Sequence, residues 1–183
     1  MHNGIVPILK EQAFFGFTGR INILLGANKQ HVGVIIQLNG LIVNAEFYSN
    51  KGKKALFNIL FEDIDGQADF TYIVEPELIN QDDLKFKFTF EELYKKLQNR
   101  FEQYKKFKKF RPPNNLKLYL KPEFVEDVNG YSIGPEEFDT LLTLVDFPLV
   151  EEIYKHSTLY EYQITRSLVS LRNKKALKVV QQG

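Results

Sequence analysis

Val32–Phe47, VGVIIQLNGLIVNAEF, sets two runs of apolar and β-branched residues on either side of Asn39-Gly40. A two-residue hairpin loop matches the twist of its strands only with positive φ at both central positions, which Asn and Gly tolerate best. The stretch therefore predicts strands over 32–38 and 41–47 joined by a tight turn. Upstream, Arg20–Leu25 (RINILL) lies between Gly19 and Gly26 and predicts a third strand, which makes a meander. Before it, Ile5–Phe15 mixes Pro7 with apolar residues and predicts a short helix running into Gly16.

Past Asn50 the period changes. Lys53–Glu62 (KKALFNILFE) places Ala55, Leu56, Ile59 and Leu60 on one helical face, closed by Asp65-Gly66. Ala68–Val74 (ADFTYIV) alternates Phe70, Tyr72 and Val74 and predicts another strand. Residues 1–80 thus read as an α+β domain, a small antiparallel sheet with packed helices.

Thr89-Phe90-Glu91-Glu92 has the form of a capping box, a hydroxyl followed three residues later by a carboxylate. From there Leu93, Leu97, Phe101, Tyr104 and Phe107 form one stripe of a long helix, Lys95, Lys105, Lys106 and Lys109 lie opposite, and Pro112-Pro113 ends it. Residues 81–113 are accordingly a basic amphipathic bridging helix. Over 114–183, Leu116, Leu118 and Leu120 alternate briefly, and Asn129-Gly130 signals a turn. Gly134-Pro135-Glu136-Glu137 opens a helix whose expected buried stripe is Phe138, Leu141, Leu142 and Val145. A second helix covers Leu149–Lys155, and a third, capped by Thr158 with Glu161, runs through Leu171. Asn173–Val180 then turns into a terminal strand. Three short helices followed by a strand give the layout of a winged-helix-like domain.

The 183 residues are 44% hydrophobic and 26% charged, an ordinary globular balance. No stretch approaches the roughly 18 apolar residues of a membrane-spanning helix. The N-terminus lacks the pattern of a secretory signal, so the expected location is cytoplasmic. Without cysteine the chain has no disulfide, no thiol nucleophile and no thiolate metal ligand. The net charge of +1 conceals a segregation: residues 85–121 hold twelve Lys or Arg against three acids, while each flank has six basic and ten acidic groups. A field of this kind steers an acidic partner or docks against the chain's own flanks.

The order of elements in the first half resembles the PATAN (PatA N-terminal) domain of bacterial signalling proteins. Thr18-Gly19-Arg20-Ile21 is followed by a strand ending in Asn-Gly, a strand with Ile42, Val43 and Ala45, a helix with Gly52, Ala55 and Leu56, and a strand after Gly66 with Phe70. The match covers roughly residues 16–75. The helix usual upstream in that family is reduced to Ile8-Leu9-Lys10, and no receiver-domain phosphorylation site is present in the chain. The resemblance implies a role in bacterial signal transduction, two-component or motility-related, with no enzymatic activity in the domain. It also implies a protein partner, such as a response-regulator receiver domain or a motility component.

The residues themselves carry little catalytic chemistry. His2, His31 and His156 are far apart and lack the i,i+4 pairing of a metal-binding helix. Glu62-Asp63, Asp65 and Asp69 fail the calcium-loop spacing and read as a solvated turn. No nucleotide-binding or nucleophile-elbow motif is present, so neither an enzyme nor a cofactor is expected. The most distinctive local feature is Tyr104–Arg111 (YKKFKKFR), whose Lys105, Lys106, Lys108, Lys109 and Arg111 form the expected partner-binding patch, with the helix stripe as a surface for a homodimer. The second expected surface is the outer face of the third tail helix and the turn after it: Tyr162, Gln163, Arg166, Val169, Lys174 and Lys175. The reading favoured here is a non-catalytic protein–protein interaction module. The alternative is a DNA-binding transcriptional regulator that places that tail helix in the major groove.

Overall fold

The computed structural model describes residues 4–66, 68–126 and 132–181; the expected Asn129-Gly130 turn lies outside them. The fold is α+β, and backbone proximity divides the chain into two units, Met1–Phe101 and Glu102–Gly183.

In the first unit, α1 (Ile5–Phe14) precedes β1 (Gly19–Leu25), β2 (Gln30–Leu38), β3 (Leu41–Phe47) and the two-residue β4 (Asn50–Lys51). Next come α2 (Gly52–Asp65) and β5 (Phe70–Pro76), and the sheet is antiparallel in the order β4-β3-β2-β1-β5. Leu38 pairs with Leu41, and Asn39 and Gly40 have φ of 51° and 77°, the geometry expected of the Asn-Gly loop. The turn is pinned from behind: the Asn39 N–H donates to Thr18 Oγ1 at 2.9 Å and the Gly40 N–H to the Phe17 carbonyl at 2.8 Å. A Cβ at Gly40 would stand 2.6 Å from the Ala13 carbonyl oxygen, so α1 closes on this hairpin only because position 40 has no side chain.

Helix α2 buries every residue from Ala55 to Phe61, more than a single amphipathic stripe. Its far side meets α3 (Phe90–Lys108): Phe61 lies 6.1 Å from Phe101 between ring centroids, and the Arg100 guanidinium sits 4.3 Å over the Phe57 ring. The opposite sheet face carries Val34, Ile36 and Val43, covered by Leu38, Leu41 and Ile79. Residues leading into α3 join the sheet edge through a reciprocal Ile42–Phe88 backbone pair at 2.9 Å in both directions. The capping box forms as expected, with the Glu92 N–H donating to Thr89 Oγ1 at 3.2 Å and the Thr89 N–H to Glu92 Oε2 at 3.0 Å. The stripe is not an open surface, since Leu93 and Leu97 are buried and Phe101, Tyr104 and Phe107 half-buried.

Asp63 corrects the reading of a solvated turn. It sits in the last turn of α2 and accepts the Ile5 N–H at 2.9 Å, which caps α1, and it also accepts the Tyr72 hydroxyl. Burial first, then this bond to a carboxylate, push the Tyr72 hydroxyl far above its usual range. The expected Phe70–Tyr72–Val74 face is buried only at its start: Phe70 is buried, Tyr72 half-buried and Val74 exposed.

In the second unit, the last turns of α3 lead to β6 (Leu116–Leu120), α4 (Pro122–Glu126), α5 (Pro135–Asp146), α6 (Val150–His156), α7 (Glu161–Asn173) and β7 (Leu177–Gln181). Strands β6 and β7 pair antiparallel, Leu118 opposite Val179, and Leu149 bridges to Lys117. The core gathers Leu118, Leu144, Val150, Ile153, Tyr154, Ile164 and Leu168, with Phe124, Leu141, Leu171 and Ala176 beside them.

Two local expectations are corrected here. The buried face of α5 is Thr140, Leu141 and Leu144, whereas Phe138, Leu142 and Val145 are 54%, 54% and 66% exposed. Thr140 fits the interior with its polar group satisfied: its hydroxyl donates to the Glu136 carbonyl at 2.8 Å, which leaves its methyl to pack like an apolar residue. The N-cap of α7 is Tyr160, not Thr158: Gln163 Oε1 accepts the Tyr160 N–H at 2.9 Å, filling the role expected of Glu161.

Candidate functional site

Helix α3 ends at Lys108, ahead of the Pro112-Pro113 expected to end it, and past that pair the chain enters β6, whose Leu116 and Leu118 lie opposite β7. Between this ribbon and α7 lies a groove of about 400 Å³ within the second unit. Phe110, Leu116, Leu118, Leu168, Leu177 and Val179 form its hydrocarbon floor and walls. Lys109, Arg111 and Arg172 line it as cations, and no acidic residue does. Phe110 and Val179 are half-exposed, at 50% and 51%, so the apolar surface is open to solvent.

The groove draws on both surfaces expected from the sequence, but only in part. Lys109 and Arg111 come from the basic segment and Val169 from the third tail helix. Lys105 instead pairs with Glu102 at 2.7 Å, Lys106 sits 5.5 Å over the Phe107 ring, and Lys108 lies 5.4 Å over Tyr104. Lys109 is exposed, with its ammonium 5.1 Å over the half-exposed Phe110. Arg111 is a structural post as well as a lining residue. Its guanidinium lies 4.4 Å over the Tyr154 ring, donates to Asn114 Oδ1 at 2.8 Å and faces Glu161 at 3.7 Å. The Tyr154 hydroxyl beneath it is 2.6 Å from Thr165 Oγ1, and burial pushes it up to about 12.

Of the rest of the expected tail face, Gln163, Arg166 and Lys174 are engaged by carboxylates of α5. Tyr162 is buried, at 8% exposure. Gln163 Nε2 donates to Glu136 Oε1 at 2.7 Å, and Arg166 forms an ion pair with the same carboxylate. Lys174 donates to both Glu137 oxygens, at 2.7 and 2.8 Å, and to the Ser132 carbonyl at 2.6 Å. Burial acts to raise the Glu137 carboxyl, but hydrogen bonds from Lys174, Ser170 and the Gly134 N–H outweigh it and hold it below the usual carboxylate range. Lys175 remains exposed, at positive φ in the turn before β7.

Arg172 and Phe110 also line the groove but are not among the site residues expected from the sequence. Phe110 lies inside the Tyr104–Arg111 segment without being one of its cations, Arg172 belongs to no motif, and the β6–β7 pairing that brings them together spans most of the unit. A signal was present in the alternation of Leu116, Leu118 and Leu120 against Leu177 and Val179, two half-apolar strands each needing a partner. Among the described residues no group of three His, Asp or Glu side chains is placed to hold a metal ion, and no helix is long and apolar enough to cross a membrane. Chemically, the groove can take hydrocarbon and negative charge together. Its lining offers no carboxylate or imidazole to act as a base near neutral pH. Neither the protein-family models nor the curated proteins nor the solved structures contain a match to this chain.

Proposed function

We propose that this chain is a non-catalytic adaptor of bacterial signal transduction, acting in the cytoplasm, whose second unit captures an acidic, partly apolar segment of a protein partner. The carrying observation is the groove with an apolar floor and the cations Lys109, Arg111 and Arg172 on its lining. Apolar area supplies the driving force for such capture, and like-signed rim charges select the partner and speed encounter. The resemblance to the PATAN domain points the same way, with a receiver domain or a motility component as the partner class. The alternative, a DNA-binding regulator, needs free cations and amides on the outer face of α7. Gln163, Arg166 and Lys174 are occupied by Glu136 and Glu137, which favours the adaptor.

The test is affinity capture from lysate of the source bacterium, comparing the wild-type chain with Lys109→Glu/Arg172→Glu. Loss of a specific acidic partner from the double variant is the expected result, and undiminished capture sinks the reading. Salt-steep binding of random duplex in an electrophoretic shift at low salt would put the regulator in its place.

A further inference from the structure

Helix α5 presents to solvent the stripe whose spacing suits the core. Phe138, Leu142 and Val145 follow i, i+4, i+7 spacing and are all more than half exposed. Asp139 and Asp146, both exposed, follow Phe138 and Val145 by one residue each and so lie along one flank of this stripe. Its other acids, Glu136 and Glu137, are already engaged with α7. The outward face is thus an acidic amphipathic helix, the helix-in-groove ligand type. The groove of the same unit has the complementary character, a hydrocarbon floor with Lys109 and Arg172 at its margin.

We propose that the chain associates with itself, the α5 stripe of one copy seating in the cationic groove of another, with Asp139 and Asp146 meeting Lys109 and Arg172. This rests on the groove being a docking site, as the adaptor reading holds, and it names a second copy as the occupant. Charge complementarity is what selects that occupant. An acidic apolar helix and a basic apolar groove on one chain are present at equal concentration whenever the protein is, whatever other partner exists. Each contact joins two different patches, so two contacts related by a two-fold axis close a dimer and a single repeated contact propagates.

The experiment uses full-length protein and light scattering after gel filtration, from about 1 to 300 µM, where weak self-association becomes visible. The wild type should gain mass with concentration, less so as salt rises. A groove reversal, Lys109→Glu/Arg172→Glu, leaves groove and helix both acidic. A helix reversal, Asp139→Lys/Asp146→Lys, leaves both basic. Each alone should associate roughly tenfold or more weakly than the wild type, because like charges then face one another. Mixed in equal amounts, the two should assemble at wild-type concentrations, since each supplies the sign the other lacks. Misfolding cannot produce that recovery. A wild type that stays monomeric throughout overturns the proposal, as do variants that associate like the wild type or a mixture that fails to recover. The two variants also separate self-association from partner capture. If the full-length mixture fails to recover while the groove reversal still abolishes partner capture, self-association falls and the adaptor reading stands. If capture is undiminished, the adaptor reading falls too.

Discussion

The two units bury their interiors by different means. The first relies mostly on hydrocarbon, with Gln37, Asn44 and Asn58 also buried, and on strands that pair largely with their sequence neighbours, β5 returning to β1. Seven consecutive residues of α2 are buried, and β1, β2 and β3 each pair with the next strand in sequence. The second does it with distant pairing and polar clamps. Its ribbon joins β6 to the far end of the chain, Thr140, Ser157, Thr165 and Ser167 are buried, and two carboxylates of α5 hold Arg166 of α7 and Lys174 just beyond it. Burial driven by periodic apolar residues depends on geometry that a single Cβ can destroy. Burial shared with ion pairs depends instead on protonation. The two units should therefore break under different insults.

The largest effect is expected at the hairpin of the first unit. Gly40→Ala must hold a side chain at φ 77° and push its Cβ against a backbone carbonyl 2.6 Å away. Left-handed strain costs about 1–2 kcal/mol and the clash with backbone adds to it, so the total should be about 3 kcal/mol. Gly16→Ala is the matched control, with φ 65° and nothing within 4 Å, and should cost about 1 kcal/mol. Urea denaturation of both variants checks the difference. Equal losses would mean that α1 does not close on the turn.

The same contrast explains what the sequence made legible. The Asn39-Gly40 hairpin and the Thr89–Glu92 box are local, each decided within a few residues, and both form as expected; the α2 face forms too, but Phe57, Asn58 and Phe61 are buried with it. The role of Asp63 is not legible locally because the backbone it caps lies 58 residues away. The inward face of α5 is not legible from apolar side chains alone, because a threonine holds one of its places. With the Thr140 hydroxyl bonded back to Glu136, its methyl occupies the interior, while Phe138 and Leu142 face outward. At the groove, Lys109, Arg111 and Val169 were singled out for their character, but Arg172 and Phe110 became neighbours only through the long-range ribbon.

Protonation should separate the units next. Glu137 and Lys174 pair with side chains only 12% and 24% exposed, so Lys174→Met, which keeps the aliphatic stem, leaves a carboxylate largely out of water without its cation. A loss of about 1–2 kcal/mol is expected, below that of a fully buried pair. The Glu137 carboxyl is held below its ordinary value in the folded chain. Its contribution is therefore complete above the unfolded value, near 4.5, and is lost as pH falls through the lower folded one. The wild-type minus variant difference, measured by denaturation from neutral pH downward, should shrink below about pH 4.5. A difference that is constant with pH would show that Lys174 acts through packing and not through charge.

The smallest expected effect is the most discriminating for α5. Had Phe138 been a core residue, as its spacing suggests, Phe138→Ala would cost about 3–5 kcal/mol through lost burial and a cavity. With the ring 54% exposed and the inward face held by Thr140, Leu141 and Leu144, the cost in dilute solution should stay within about 1 kcal/mol. At concentrations where copies meet, the same substitution should weaken self-association, because it removes the ring that the groove would bury. A variant as stable as the wild type when dilute yet impaired when concentrated would place the value of Phe138 in recognition and not in folding. A large loss of stability in dilute solution would return the stripe to the interior and remove the ligand from the proposed docking pair.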